Sequence, residues 1–238
     1  MEPAETTAMA LLRIRPTSSA KGSARLVEAL KRYLARPVTQ GTQPNGADAQ
    51  SLAPTLRRGD VLLTEGITLL AALVRRLTGS KWSHVSMYVG PLEDGPDPAC
   101  VVEADIAAGV RAVPLSEFKG MRVRVLRPTR LPDADRARLA DWVVSRIGAE
   151  YDLAHAWSLG KRLLRLPLAS PMPVRSSSAQ GARRFICSSL LAQAFMLVGY
   201  TIVPQQLGLG GAEAVDHRYL TPRDFERASV FEVVSREL

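Results

Sequence analysis

Residues 185–200, "FICSSLLAQAFMLVGY", place a cysteine at the first turn of an apolar helix, and Gly199 closes the run. At that position Cys187 meets free backbone N–H groups and the positive end of the helix macrodipole, which favour thiolate over thiol. Arg183 and Arg184, just upstream, push in the same direction. The same N–H groups would face the oxyanion that forms when sulfur attacks a carbonyl. Free cysteine is, however, among the most buried residue types. The rest of the chain decides whether Cys187 is packing or a nucleophile.

A nucleophilic thiol needs a base, and the chain has three histidines, His84, His155 and His217. In "KWSHVSMYVG" strand alternation sets His84, Ser86 and Tyr88 on one face and Val85, Met87 and Val89 on the other. A histidine on the polar face at the start of a strand can present its imidazole to a neighbouring helix terminus. His155 reads as a half-buried helical imidazole and His217 as a loop residue. An imidazole works better as a base when an acceptor fixes its tautomer. The next strand, "CVVEADI", sets Val101, Glu103 and Asp105 on one face and Cys100, Val102 and Ala104 on the other. A carboxylate among valines needs a partner. Glu103 either pairs with an arginine or orients His84, and the second choice completes a Cys187–His84–Glu103 set. Cys100, on the opposite face, reads as small-residue packing.

Outward from these segments the pattern is mixed. "GDVLLTE" reads as a strand and "ITLLAALVRRLTG" as a helix apolar nearly all round, hence buried or against a ligand. "GVRAVPLSEF" and "MRVRVLRP" read as further strands, "DADRARLADWVVSRIGA" and "YDLAHAWSLGKRLLRL" as helices, and "TPRDFERASVFEVV" as a helical turn with a closing strand. The order implies an α+β fold, one small antiparallel sheet packed against helices. Residues 1–20 are expected to be disordered, and residues 21–37 to form a basic amphipathic helix with Ser23 as N-cap and Pro37 as its stop. Residues 38–55 read as a polar linker, so the folded domain is expected over 56–238.

The 238 residues suffice for one good core, and the net charge of +8 predicts attraction to anionic surfaces without choosing among them. Aromatics are 5% and do not interleave with basic residues in a stacking pattern, so no nucleic-acid partner is expected. Two cysteines are too few for a disulfide-stapled fold and have no metal-ligand spacing, so neither metal nor other cofactor is expected. The start lacks a signal-peptide pattern, and no apolar run reaches the roughly 18 residues of a transmembrane helix. The expected location is the cytoplasm, with peripheral contact to an anionic membrane through residues 21–37.

The order "RRGDVLLTEG … KWSHVSMYVG … VVEADIAAGVRAVPLSEF … YD … FICSSLLAQAF … TPRDF" resembles the YiiX/YaeF family of permuted papain-like amidases. That family is related to NlpC-type cell-wall peptidases and to lecithin:retinol acyltransferase. In the permuted group the histidine and acid strands precede the cysteine helix, as here, and the resemblance runs from about Arg57 to Phe225. It implies a permuted papain-like fold with Cys187 as nucleophile, His84 as base and Glu103 as orienting acid. Tyr151 and Asp152 match the family's Tyr-Asp pair, and with Ser86 and Ser188 they are candidate substrate-binding residues. Ser189 departs from the pattern, standing where the family commonly has glutamate. The implied activity is thiol-dependent cleavage or transfer at an amide or ester bond of an acyl- or peptidyl-containing small molecule or lipid. The alternative is a lipid- or peptide-binding protein that keeps the fold without turnover.

Overall fold

The computed structural model describes residues 18–38, 49–164, 184–202 and 219–235. In chain order its elements are α1 (Ser18–Leu34), β1 (Val61–Thr64), α2 (Leu69–Thr78), β2 (His84–Tyr88), β3 (Val101–Asp105), β4 (Gly109–Val113), β5 (Val123–Pro128), α3 (Asp133–Val144), β6 (Glu150–Tyr151), α4 (Leu153–Leu164), β7 (Arg184–Phe185), α5 (Cys187–Leu197), α6 (Pro222–Arg227) and β8 (Phe231–Ser235). Six strands form one antiparallel sheet in the order β4-β3-β2-β1-β5-β8. This is the α+β, permuted papain-like arrangement expected from the sequence.

Strand alternation divides the interior into two layers. Val61, Leu63, Val85, Met87, Val102 and Ala104 point to the face covered by α3 and α5, where they meet Leu139, Val143, Leu190 and Phe195. Leu62, Val101, Val123 and Val125 point to the other face and pack against Leu52, Leu56, Leu115 and Phe118. α5 is apolar all round because it is the central helix: Leu190, Leu191, Ala194 and Phe195 are fully enclosed. Buried Asp60 ties the layers together. It accepts from both Arg127 Nε (2.9 Å) and Nη2 (2.6 Å) on β5, and Arg136 Nη1 of α3 lies 3.7 Å away.

Three boundaries differ from those expected. α1 begins at Ser18, so residues 18–20 are helical and Ser23 lies inside the helix rather than capping it. The helix stops at Leu34, and Pro37 instead forms an isolated bridge to Thr68 at the entrance of α2. The expected linker is shorter at its far end, because Ala49–Thr55 form a 3-10 helix that buries Leu52 in the second layer. One leucine in a polar, proline-bearing stretch carries no periodicity, which is why composition hid it. Residues 49–55 thus pack with the domain expected over 56–238. The expected disorder of residues 1–17, the linker at 39–48 and the loop holding His217 lie outside the described residues.

Candidate active site

The site forms where two helices begin side by side. β6 and β7 pair in parallel through Tyr151 and Phe185, and the Asp152 N–H donates to the Phe185 carbonyl at 3.0 Å. α4 therefore starts next to α5, with Cys187 as the first residue of α5. Asp152 caps α4 by accepting the His155 N–H at 2.9 Å. Ser189 caps α5: its hydroxyl accepts from the Ile186 N–H and donates to the Ile186 carbonyl, both at 3.1 Å. Serine at this position thus performs the reach-back of a capping box that glutamate or glutamine otherwise supplies.

α5 lies across β2, and the β2–β3 register ends at Met87–Val102 and Tyr88–Val101. Continued towards the start of β2, that register would set Val85 against Ala104. The ladder stops short of them, and the Val85 N–H is instead hydrogen bonded to the Cys187 sulfur. The Ser188 N–H, at the first turn of α5, is the second backbone donor to the same sulfur.

His84 Nε2 lies 2.9 Å from Glu103 Oε2. With that nitrogen engaged, Nδ1 is the one left for the thiol, with which the ring is also hydrogen bonded. The other Glu103 oxygen accepts from Arg111 Nε at 3.0 Å and Nη2 at 2.8 Å. Burial pushes the Cys187 thiol up, but the charge and hydrogen bond of His84, with the Val85 and Ser188 N–H groups, overcome it and leave its pKa lowered from 9.0. Burial likewise pushes His84 down, yet Cys187 and Glu103 together hold it well above 6.5. Glu103 is raised by burial and lowered further by His84 and then Arg111, to about 2. Both shifts act in the direction of a thiolate–imidazolium pair, with a carboxylate and a guanidinium behind the imidazole.

A cavity of about 330 Å³ opens beside this group. Cys187, His84 and Glu103 line one end; Leu70, Leu73, Val74 and Leu77 of α2 and Ala156, Leu159, Gly160 and Leu163 of α4 line its walls. The helix that sequence reading left as buried or facing a ligand, α2, faces this space. Cys187 is half-buried and lines the cavity.

Of the other residues singled out in the sequence, Tyr151 and Ser188 line the cavity. Ser86 is fully buried and does not line it, so its expected substrate contact is not available in this arrangement. Asp152 is also absent from the lining and acts as a cap. Arg184, expected to lower the thiol pKa, points to solvent and pairs with Glu150 at 2.8 Å. Arg183 lies outside the described residues. His155 is a half-buried helical residue, as expected, and meets Tyr219 edge-on. Cys100 is packing as expected, but in the second layer with Val101 rather than with Val102 and Ala104, because it precedes β3 and its alternation. The sequence reading missed Arg111. The signal was there: the tight "VVEADIAAGVRAV" hairpin, turned by Asp105 accepting the Ala107 and Ala108 N–H groups, sets Arg111 directly across from Glu103.

With this geometry in view, comparison with known proteins gives two findings. Residues 55–163 match the family model described as permuted papain-like amidase enzyme, YaeF/YiiX, C92 family. The match takes in the strands of His84 and Glu103 and ends ahead of Cys187, short of the Arg57–Phe225 span read from the motifs. It supports a cysteine hydrolase of the amidase or peptidase kind. The crystal structure of metalloprotein yiiX from Escherichia coli O157:H7 superposes with a TM-score of 0.51 at 18% identity, covering 76% of this chain and 97% of that one, and so shares its fold. No curated protein matches the sequence. The relative's name refers to a metal, but the residues here do not fit one. Among the described residues no three His, Cys, Asp or Glu side chains are grouped to ligate an ion, and His84 and Glu103 are committed to each other, Cys187 and Arg111.

Proposed function

We propose that this relative of the permuted papain-like amidases cleaves amide or ester bonds of apolar acyl substrates through a Cys187 thioester. The observation that carries the proposal is the continuous chain Cys187–His84–Glu103–Arg111 at the end of an apolar cavity. The thiolate adds to the substrate carbonyl, and the resulting oxyanion is held by backbone N–H groups at the start of α5. The His84 imidazolium gives its proton to the leaving nitrogen or oxygen as the C–N or C–O bond breaks, leaving an acyl–sulfur thioester. Neutral His84 then takes a proton from water, whose oxygen adds to the thioester carbonyl. Collapse releases the carboxylic acid and regenerates the pair. An alcohol or amine in place of that water makes the same site an acyltransferase.

Glu103 keeps Nε2–H as the donor and stabilises the imidazolium, while Arg111 keeps Glu103 ionised and aimed. The walls from α2 and α4 are Leu, Val and Ala side chains with Gly160 and a single Thr78, which supports an aliphatic acyl group as the part of the substrate that is gripped.

The test is a panel of p-nitrophenyl esters and acyl amides of increasing chain length, with intact-mass detection of the acyl adduct. Wild type should accumulate an adduct that maps to Cys187, and Cys187→Ala should lose both adduct and turnover. Turnover surviving in Cys187→Ala, or an adduct mapping elsewhere, would overturn the proposal.

A further inference from the structure

We infer that α1, α2 and α4 form a face that docks on an anionic phospholipid bilayer and opens the cavity towards it. The three helices are contiguous. α1 is joined to α2 through the Pro37–Thr68 bridge, the Val38 N–H to the Ile67 carbonyl (2.8 Å) and the Leu69 N–H to the Arg36 carbonyl (2.9 Å). α2 packs against α4, and Ala35, just beyond α1, lines the cavity with them.

Two observations on this face point to the same partner. The first is apolar exposure. Leu73 of α2 and Leu163 of α4 belong to the cavity wall yet are 45% and 37% exposed, so they stand at its mouth. Trp157 and Leu164, seven residues apart on one side of α4, and Leu30 and Tyr33, three apart on α1, are also exposed on these contiguous helices. A monomeric globular surface rarely exposes so many large apolar side chains on three contiguous helices. The second is charge. The sequences of these three helices hold eight Lys and Arg residues and one acid, Glu28, and each has two of the basic residues in its last turn: Lys31 and Arg32, Arg75 and Arg76, Lys161 and Arg162. Apolar side chains with flanking cations are what an interfacial helix presents to acyl chains and anionic headgroups. No described helix is long and apolar enough to cross a membrane, so the contact inferred is one of lying on the surface.

The inference rests on the acyl-substrate reading above only for what enters the cavity; the docking is carried by the surface itself. It gives the cavity a source of substrate, a chain leaving the bilayer between α2 and α4 and reaching Cys187 without crossing water.

Trp157 supplies the readout, since Trp82 is fully buried and Trp142 is half-buried between Phe185 and Arg146. The full chain is mixed with phosphatidylcholine vesicles, with or without phosphatidylglycerol, carrying brominated acyl chains. Expected are co-sedimentation with the anionic vesicles and quenching of tryptophan emission, with the quenching mostly lost in Trp157→Phe. Charge reversal at two exposed positions, Arg32→Glu with Arg76→Glu, should weaken binding by roughly 30-fold or more. Absence of sedimentation, sedimentation without quenching, or binding unchanged by the double reversal would each overturn the inference. Cys187→Ala is run in parallel and should bind as wild type. Binding lost while the Cys187 acyl adduct still forms in wild type would remove the docking alone, and an absent adduct with binding retained would remove the chemistry alone.

Discussion

Glu103→Gln tests the ion pair directly, because the amide keeps the shape of the side chain and removes its charge. Burial raises the Glu103 pKa, and the hydrogen bonds and charges of His84 and Arg111 more than offset this, leaving it at about 2 against an ordinary 4.5. The difference corresponds to roughly 3 kcal/mol in favour of the ionised carboxylate. If the two partners share it evenly, about 1.5 kcal/mol acts on His84, close to a factor of ten in the population of the thiolate–imidazolium pair. The assay is the rate of iodoacetamide alkylation at Cys187 across a pH series, read by peptide mass spectrometry. Cys100, which is buried and whose pKa is raised chiefly by burial, serves as the internal reference. Wild type should alkylate at Cys187 far faster than at Cys100. In Glu103→Gln the Cys187 profile should move to higher pH and its rate at neutral pH fall about tenfold. Stability supplies a second sign. A carboxylate with a lowered folded pKa contributes stability that is present above about pH 4.5 and lost as pH falls through about 2, so wild type should lose roughly 3 kcal/mol over that window that the variant does not. A folded Glu103→Gln protein whose alkylation profile overlays that of wild type would refute the reasoning.

The pH dependence of turnover should be bell-shaped. It rises as Cys187 ionises below the ordinary thiol value of 9.0 and falls above the ordinary histidine value of 6.5, as His84 loses the proton it must donate; a profile that only rises with pH would contradict the pair. Gly160→Leu fills the cavity from α4 at a position where a Cβ meets nothing within 4 Å. Thermal melts should show stability held or raised by about 0.5–1 kcal/mol, while kcat/KM for an octanoyl ester falls at least tenfold relative to acetyl; equal losses on both would separate the cavity from substrate binding. Asp60→Ala strips half-buried Arg127 and buried Arg136 of their shared carboxylate and should lower unfolding free energy by about 3–5 kcal/mol in urea titration. A change below 1 kcal/mol would mean that the arginines find other acceptors.

What could be read in advance was whatever a fixed period controls. Alternation in "HVSMY" and "VVEAD" put His84 and Glu103 on matching faces, and the structure brings them to 2.9 Å. The same rule set Val85, Met87, Val102 and Ala104 on the opposite faces of those strands, and the structure packs them beneath α5. Where one residue acts alone there was no period to read, and there the expectations failed. Leu52 packs from a stretch otherwise typical of a linker, and Ser86, facing the same side as His84, is closed off because the next layer covers it. Arg184 stands next to the nucleophile in the chain, but β7 directs it to solvent and Glu150. Arg111 is the opposite case, remote in sequence reading yet fixed by the length of one hairpin.

The early end of the β2–β3 ladder bears on the chemistry of the thiol. A continuous antiparallel ladder would occupy the Val85 N–H with a β3 carbonyl, leaving Cys187 only the helix-start donor at Ser188. Because the ladder ends at Met87–Val102, the sulfur gains a second backbone donor from the very strand that carries the imidazole. Strand and helix thus meet at the nucleophile rather than beside it, and His84 and the Val85 N–H approach the sulfur from consecutive residues. Closing the gap would cost the site more than a hydrogen bond. Burial opposes the charged sulfur, and each lost donor would move the Cys187 pKa back towards that of an inert buried thiol. The early end of the ladder thus works against the burial that raises the thiol pKa, in the direction of the charged sulfur.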